Sequence, residues 1–232
     1  MAPVEGLGLL QSRPGGGDVP AGSAFPKDDR TPPMPLSILA LNCTLKPAGP
    51  SSTQRIIELV LREFSEGCVS EVVHVAALNI KPGVSSNEGD GDDWPALRRK
   101  IDACDILLIG TPIWLGQPSS VAKRVLERLD AFLGEADDRN RTPAYGKVAA
   151  IAVVGNEDGA HHVSADIAQA LFDVGFSIAA GGPTYWVGEA MGSVNFIDLA
   201  EVPETTAKTN RMLARNAAHL AGLFKRHPYP GY

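Results

Sequence analysis

From Leu36 to Phe224 the chain repeats one pattern. A short apolar run is followed by a Gly-, Pro- or Asp-rich break, then by a stretch whose apolar residues recur every three or four positions. The apolar runs cover 36–41, 71–77, 105–110, 147–154 and 176–180. Between them, Ile56, Ile57, Val60, Leu61 and Phe64 keep helical spacing up to Gly67. A short helix follows, with Asp93 at its N-cap, Pro95 in its first turn, and Leu97 and Ile101 inward. Pro118 opens the next, with Val121, Val125, Leu129 and Phe132 on one face. Ala165, Ala168, Leu171 and Phe172 mark another, stopped near Gly175, and 206–224 closes the chain with Leu213, Ala217, Leu220 and Phe224 inward. Continuous apolar strands alternating with amphipathic helices imply an α/β domain: a parallel sheet of about five strands covered by helices on both faces.

Residues 1–35 lack this pattern. They are rich in Gly and Pro and read as a flexible tail, or alternatively as an arm packing on a partner subunit; 36–232 then form one domain. With 44% hydrophobic and 21% charged residues, the chain is neither disordered overall nor a coiled coil. A net charge of −6 argues against nucleic acid or an anionic membrane as the main partner. No stretch approaches the roughly 20 apolar residues of a membrane span, and no secretory signal is read. Cys43, Cys68 and Cys104 are far apart and form no CxxC pair, so no zinc or iron–sulfur site is readable. They are expected to be small buried side chains, in keeping with a cytoplasmic location.

In such a sheet ligands bind beyond the carboxyl ends of the strands, which directs attention to the breaks at 42–53, 111–117 and 155–162. The first, NCTLKPAGPSST, has neither a dinucleotide nor a P-loop fingerprint. It offers the hydroxyls of Thr44, Ser51, Ser52 and Thr53, together with Lys46, at the start of a helix. Free amides and the helix dipole there favour a phosphomonoester, although a serine at that position also serves as an ordinary N-cap. The second break, TPIWLGQPSS, is too apolar for a water-facing loop and suits a flat ring with a polar edge. Its Trp114 fits equally a core or subunit contact. The third, GNEDGAHH, presents amides and a new helix N-terminus, or else a polar turn capped by Asn156 or Asp158. His161 and His162 are adjacent and cannot face one ligand from one helix, so no metal site is assigned, whereas His161 alone is a candidate proton donor.

The motifs NCTLKPAGPSST, DILLIGTPIWLGQPSS followed by KRVLERLDAF, and VVGNEDGAHH followed by GGPTYWVG resemble the flavodoxin-like NADPH-dependent FMN reductase family across nearly all of 36–232. The resemblance implies a doubly wound sheet of strand order 2-1-3-4-5 and non-covalent FMN. It places the phosphate on Thr44, Lys46, Ser51, Ser52 and Thr53. The ring would lie against Pro112, Ile113, Trp114, Leu115 and Gly116 on one side and Gly155, Asn156, Glu157, Asp158, Gly159, Ala160 and His161 on the other. Amides at that second edge would favour the reduced flavin, which carries negative charge there. NAD(P)H is the implied co-substrate and a quinone, free flavin, azo or nitro compound the acceptor. A homodimer is expected from the resemblance and the aromatic pair Tyr185 and Trp186. The sequence departs from the family's GSxRxxS-type phosphate loop, with Asn42, Cys43, Thr44 and Lys46 in its place. It also lacks the cysteine cluster of the superfamily's iron–sulfur flavoproteins. An electron carrier of flavodoxin type and a non-catalytic module on the same scaffold are the competing readings.

Overall fold

The computed structural model describes residues 35–232; the tail expected over 1–35 lies outside them but for its last residue. The sheet contains β1 (Ser37–Asn42), β2 (Val69–His74), β3 (Ile106–Trp114), β5 (Val148–Gly155) and β6 (Ser177–Val187), all parallel, in the order β2-β1-β3-β5-β6. A two-residue strand, β4 (Gln117–Pro118), pairs antiparallel with the end of β3 alone. Setting β4 aside, the order is the expected 2-1-3-4-5.

Alternate residues of each central strand enter opposite cores, which is why the strands read as unbroken apolar runs. Leu39, Leu41, Leu107, Ile109, Ile151 and Val153 face α2 (Trp94–Ala103), α3 (Ser120–Leu129) and α4 (Ala160–Asp173). Ile38, Ala40, Ile106, Leu108, Ala150 and Ala152 face α1 (Ser52–Leu61) and α5 (Glu204–Arg226). The chain leaves β1 for β2 on one side and returns to β3 on the other. The crevice beyond β1 and β3 is therefore the switch point at which ligands of such sheets lie.

Several expected boundaries move. β3 does not stop at Gly110: Thr111 and Pro112 pair with Val153 and Val154, and Ile113 and Trp114 turn back onto β4. Leu115 (φ 53°) and Gly116 (φ 72°) make the two-residue turn, whose twist demands positive φ at both central residues. Pro118 thus ends β4, and Ser119 caps α3 instead, its hydroxyl accepting the Ala122 amide at 3.1 Å. β6 runs on past Ala180, because a register irregularity between Ala149 and Ile151 absorbs the Gly181–Gly182 step and pairing resumes at Pro183. β2 ends at His74 and Val75–Ala77 form a 3-10 turn. Asp93 stands at the N-cap of α2, but its carboxylate accepts from the Asn79 amide rather than from its own helix. In α4 it is Val163, Ile167 and Leu171 that face the core, leaving Phe172 66% exposed. Leu220 is only partly buried, while Ala214 and Ala221 join the inward face of α5. Cys43 and Cys104 are buried and Cys68 only partly so. Burial pushes the Cys43 thiol far up and the Cys104 thiol to about 11, so both stay protonated. Of the aromatic pair expected at a dimer face, Tyr185 is 40% exposed. Trp186 is 9% exposed, its ring tilted against Phe196.

Candidate functional site

A cavity of about 610 Å³ opens at the switch point, within the ~300–1,000 Å³ typical of cofactor pockets. Its two ends differ in chemistry.

The polar end is built on the β1–α1 loop. Asn42 is fully buried; its Oδ1 accepts the Thr44 amide at 3.1 Å and its Nδ2 donates to Gln54 at 2.9 Å. The Cys43 amide donates to the Gly110 carbonyl at 2.8 Å, and the Cys43 carbonyl accepts the Ser119 hydroxyl at 2.6 Å. These bonds fix a loop that has no regular structure of its own. Ser51 is the N-cap of α1, accepting the Gln54 amide at 3.0 Å, so it does serve as the ordinary cap. The first amides of α1 have no carbonyl within the helix to receive them, and α1 carries no acidic residue in its first turn. Thr44, Lys46, Ser51, Ser52 and Thr53 all line this end. Lys46 is exposed, with Nζ 3.4 Å from the Pro50 carbonyl. One cation, several hydroxyls and a helix N-terminus suit a phosphate.

The other end is apolar. Pro112, Ile113, Trp114 and Leu115 line it from the β3–β4 hairpin, Trp114 being 54% and Leu115 91% exposed. The hairpin is docked on the β5–α4 loop and the first turn of α4 at three points. Glu157 accepts the Leu115 amide at 3.0 Å; the Gln117 and His162 side chains meet at 2.9 Å; and the Gly116 backbone approaches Gly159 so closely that no side chain fits between them. A Cβ on Gly159 would stand 2.9 Å from the Gly116 Cα.

Gly155, Asn156 and Glu157 also line the cavity. Asp158, Gly159, Ala160 and His161, expected beside them, do not, nor does Gly116, expected with Pro112 to Leu115. α4 begins at Ala160, which buries Ala160 and turns His161 away. The His161 Nε2 lies 3.1 Å from the Tyr185 hydroxyl, the two rings meeting edge to face. Among the described residues no three His, Cys, Asp or Glu side chains converge as a metal ion requires.

Six lining residues escaped the sequence reading: Val154, Trp186, Met191, Gly192, Asn195 and Ile197. Four of them belong to the segment after β6, whose Gly and Asn content at a strand's carboxyl end was the available signal. A polar, hydroxylated end and an apolar, aromatic end together match the donor and contact set of a riboflavin phosphate.

The profile of a family described as NADPH-dependent FMN reductase matches residues 36–192. The 8-demethyl-8-aminoriboflavin-5'-phosphate synthase of Streptomyces davaonensis is 34% identical over 208 residues, spanning 84% of this chain and 81% of that protein. The crystal structure of RosB with the bound intermediate 8-demethyl-8-formylriboflavin-5'-phosphate superposes with a TM-score of 0.73 at 33% identity, covering 84% of this chain and 82% of that one. The apo form of an NADH:FMN oxidoreductase shares the fold, with a TM-score of 0.56 at 18% identity over 81% of this chain and 89% of that one.

Proposed function

The chain belongs to the NADPH-dependent FMN reductase family, a family of flavin-dependent oxidoreductases, and on that premise we propose that it is an enzyme. It holds FMN non-covalently and passes electrons from NADH or NADPH to a small acceptor: a quinone, free flavin, azo or nitro compound. The observation that carries this reading is the two-ended cavity, with hydroxyls and the α1 N-terminus at one end and the Trp114 hairpin at the other. When bound, FMN supplies the hydride and electron chemistry. The chain's residues bind and orient it. Thr44, Lys46 and the first turn of α1 hold the phosphate, and Ile113, Trp114, Leu115 and Gly155 to Glu157 flank the ring. Gly116 and Gly159 act one step back, through the docked hairpin. His161, bonded to Tyr185 outside the cavity, is left without the proton-donor role at the ring. Trp114 and Leu115 leave an apolar, solvent-facing rim at which donor and acceptor take turns, which calls for ping-pong kinetics. No helix among the described residues is long and apolar enough to cross a membrane. A homodimer in the cytoplasm remains part of the proposal, with Tyr185 as the exposed aromatic contact.

The test is the visible spectrum. The purified or FMN-soaked protein should be yellow and should bleach anaerobically on addition of NADH or NADPH. A protein that stays colourless after soaking would sink the reading.

A second reading has its own support. Streptomyces davaonensis yields a relative named for making a riboflavin phosphate derivative, and the RosB structure holds another. In this reading the cavity takes a riboflavin phosphate as substrate. Mass analysis of the released flavin after turnover separates the two: an unaltered ring supports the cofactor role, a changed ring substituent the substrate role.

A further inference from the structure

The outer wall of the cavity is a strap, residues 188–199, with no regular structure beyond a 3-10 turn at Phe196–Asp198. At the ring end it is tied to Asn156: the Met191 amide donates to the Asn156 carbonyl at 2.7 Å, and Asn156 Nδ2 donates to the Gly192 carbonyl and to Asn195. At the phosphate end it is tied to α1. Ser52 accepts the Ile197 amide at 3.1 Å. One turn further along α1, the Arg55 guanidinium Nη1 lies 2.7 Å from the Phe196 carbonyl, 2.9 Å from that of Ile197 and 2.8 Å from that of Leu199. The same guanidinium stacks 5.3 Å from the centre of the Phe196 ring, which is itself fully buried.

A cation in the first turns of a helix whose N-terminus is to hold a phosphate would ordinarily be read as a phosphate ligand. Here the donors of Nη1 are spent on carbonyls, and the face of the guanidinium is held on the Phe196 ring. A strap with few internal bonds pays for its own ordering in chain entropy, so it stays in place only if something outside it fixes it. Arg55 collects three of its carbonyls at one point, and charged hydrogen bonds of this kind are the stronger ones. We infer that Arg55 is the positioning residue that latches the 188–199 wall over the flavin site, acting on the whole ligand and not on its phosphate. This inference rests on the flavin reading above for its ligand, but not for the latch itself.

The experiment compares wild type, Arg55→Gln and Arg55→Lys. Affinities for FMN and for riboflavin are measured by flavin fluorescence, and hydrogen exchange across 188–199 is measured without ligand. Arg55→Gln should weaken FMN and riboflavin by the same factor, about ten-fold, and speed exchange in the strap. Lysine, with three donors on one nitrogen, should restore most of both. A loss confined to FMN would make Arg55 a phosphate ligand and overturn the inference, as would unchanged affinities. If Arg55→Gln does not fold, Ile197→Ala replaces it in the affinity arm: equal loss of both ligands supports a wall acting on the whole flavin, and no loss overturns it. If wild type binds neither flavin, the functional reading fails. Exchange in the strap still decides the latch: faster in Arg55→Gln than in wild type, with Arg55→Lys close to wild type, supports it, and unchanged in every variant overturns it.

Discussion

Gly159, just outside the cavity lining, is where the docking of the hairpin can be broken by a single methyl group. Its φ of 119° is one that residues with a side chain rarely adopt, and forcing it costs about 1–3 kcal/mol. An alanine Cβ would also lie 2.9 Å from the Cα and 3.1 Å from the carbonyl oxygen of Gly116. These are backbone atoms that cannot rotate aside, so the hairpin tip must lift off, adding about 1–3 kcal/mol of overpacking. Gly159→Ala should therefore destabilise by about 2–6 kcal/mol, a large part of the ~5–15 kcal/mol that holds a domain together. Gly67→Ala is the control: φ is 97°, yet nothing lies within 4 Å of the added Cβ, so only the conformational part is lost. Urea denaturation followed by two probes measures both, and their difference isolates the contact. Because the tip carries Trp114 and the Leu115 amide bonded to Glu157, FMN affinity should fall about ten-fold in Gly159→Ala and not at all in Gly67→Ala. If Gly159→Ala unfolds at the same urea concentration as Gly67→Ala and binds FMN normally, the hairpin is not docked as described.

Ser52→Ala combined with Thr53→Ala frees the Ile197 amide and so weakens both flavins, but it should weaken FMN more than riboflavin, by about 1.5–3 kcal/mol for each charged hydrogen bond lost; equal weakening in calorimetry would remove the phosphate from this loop. Trp114→Ala should slow bleaching by NAD(P)H or weaken FMN more than it lowers the unfolding midpoint, since the indole is 54% exposed; stopped-flow absorbance with normal rate and affinity would count against the platform. Burial pushes the Asp92 carboxyl up, but bonds from the Glu88 amide, Arg128 and the Trp94 and Lys81 amides pull it further down, to about 2. A depressed carboxylate stabilises above its ordinary value of 3.8, and that contribution fades as the pH falls through about 2. Asp92→Asn should therefore flatten the pH dependence of the unfolding midpoint between about pH 4 and pH 2, and at neutral pH it should cost about 3–5 kcal/mol by stranding buried Arg128. Removing residues 1–32 should leave FMN binding unchanged, as titration of the truncated protein would show.

The two periodicities in the sequence are local consequences of burial, and they sufficed for the architecture. A strand buried on both faces must be apolar at every position, and a helix covering it must be apolar every third or fourth. Those rules alone place the loops after β1, β3 and β5 at one end of the sheet, and the serines at the start of α1 within the crevice. The periodicities could not say how those loops bend. Whether 111–117 was a loop or a hairpin depended on Pro112 finding Val154 and on Leu115 accepting positive φ. Whether His161 faced the cavity depended on the residue at which α4 began. The outer wall was the least legible part, because its shape is set by Arg55 meeting Phe196 across 141 residues of chain. Neither residue signals the other in sequence: an arginine on a helix and a phenylalanine in a Gly-rich segment are unremarkable apart. Only packing that brings α1 beside the 3-10 turn at Phe196–Asp198 makes them one structural unit, since hydrogen bonds and ring contacts act over a few ångströms and carry no memory of separation along the chain.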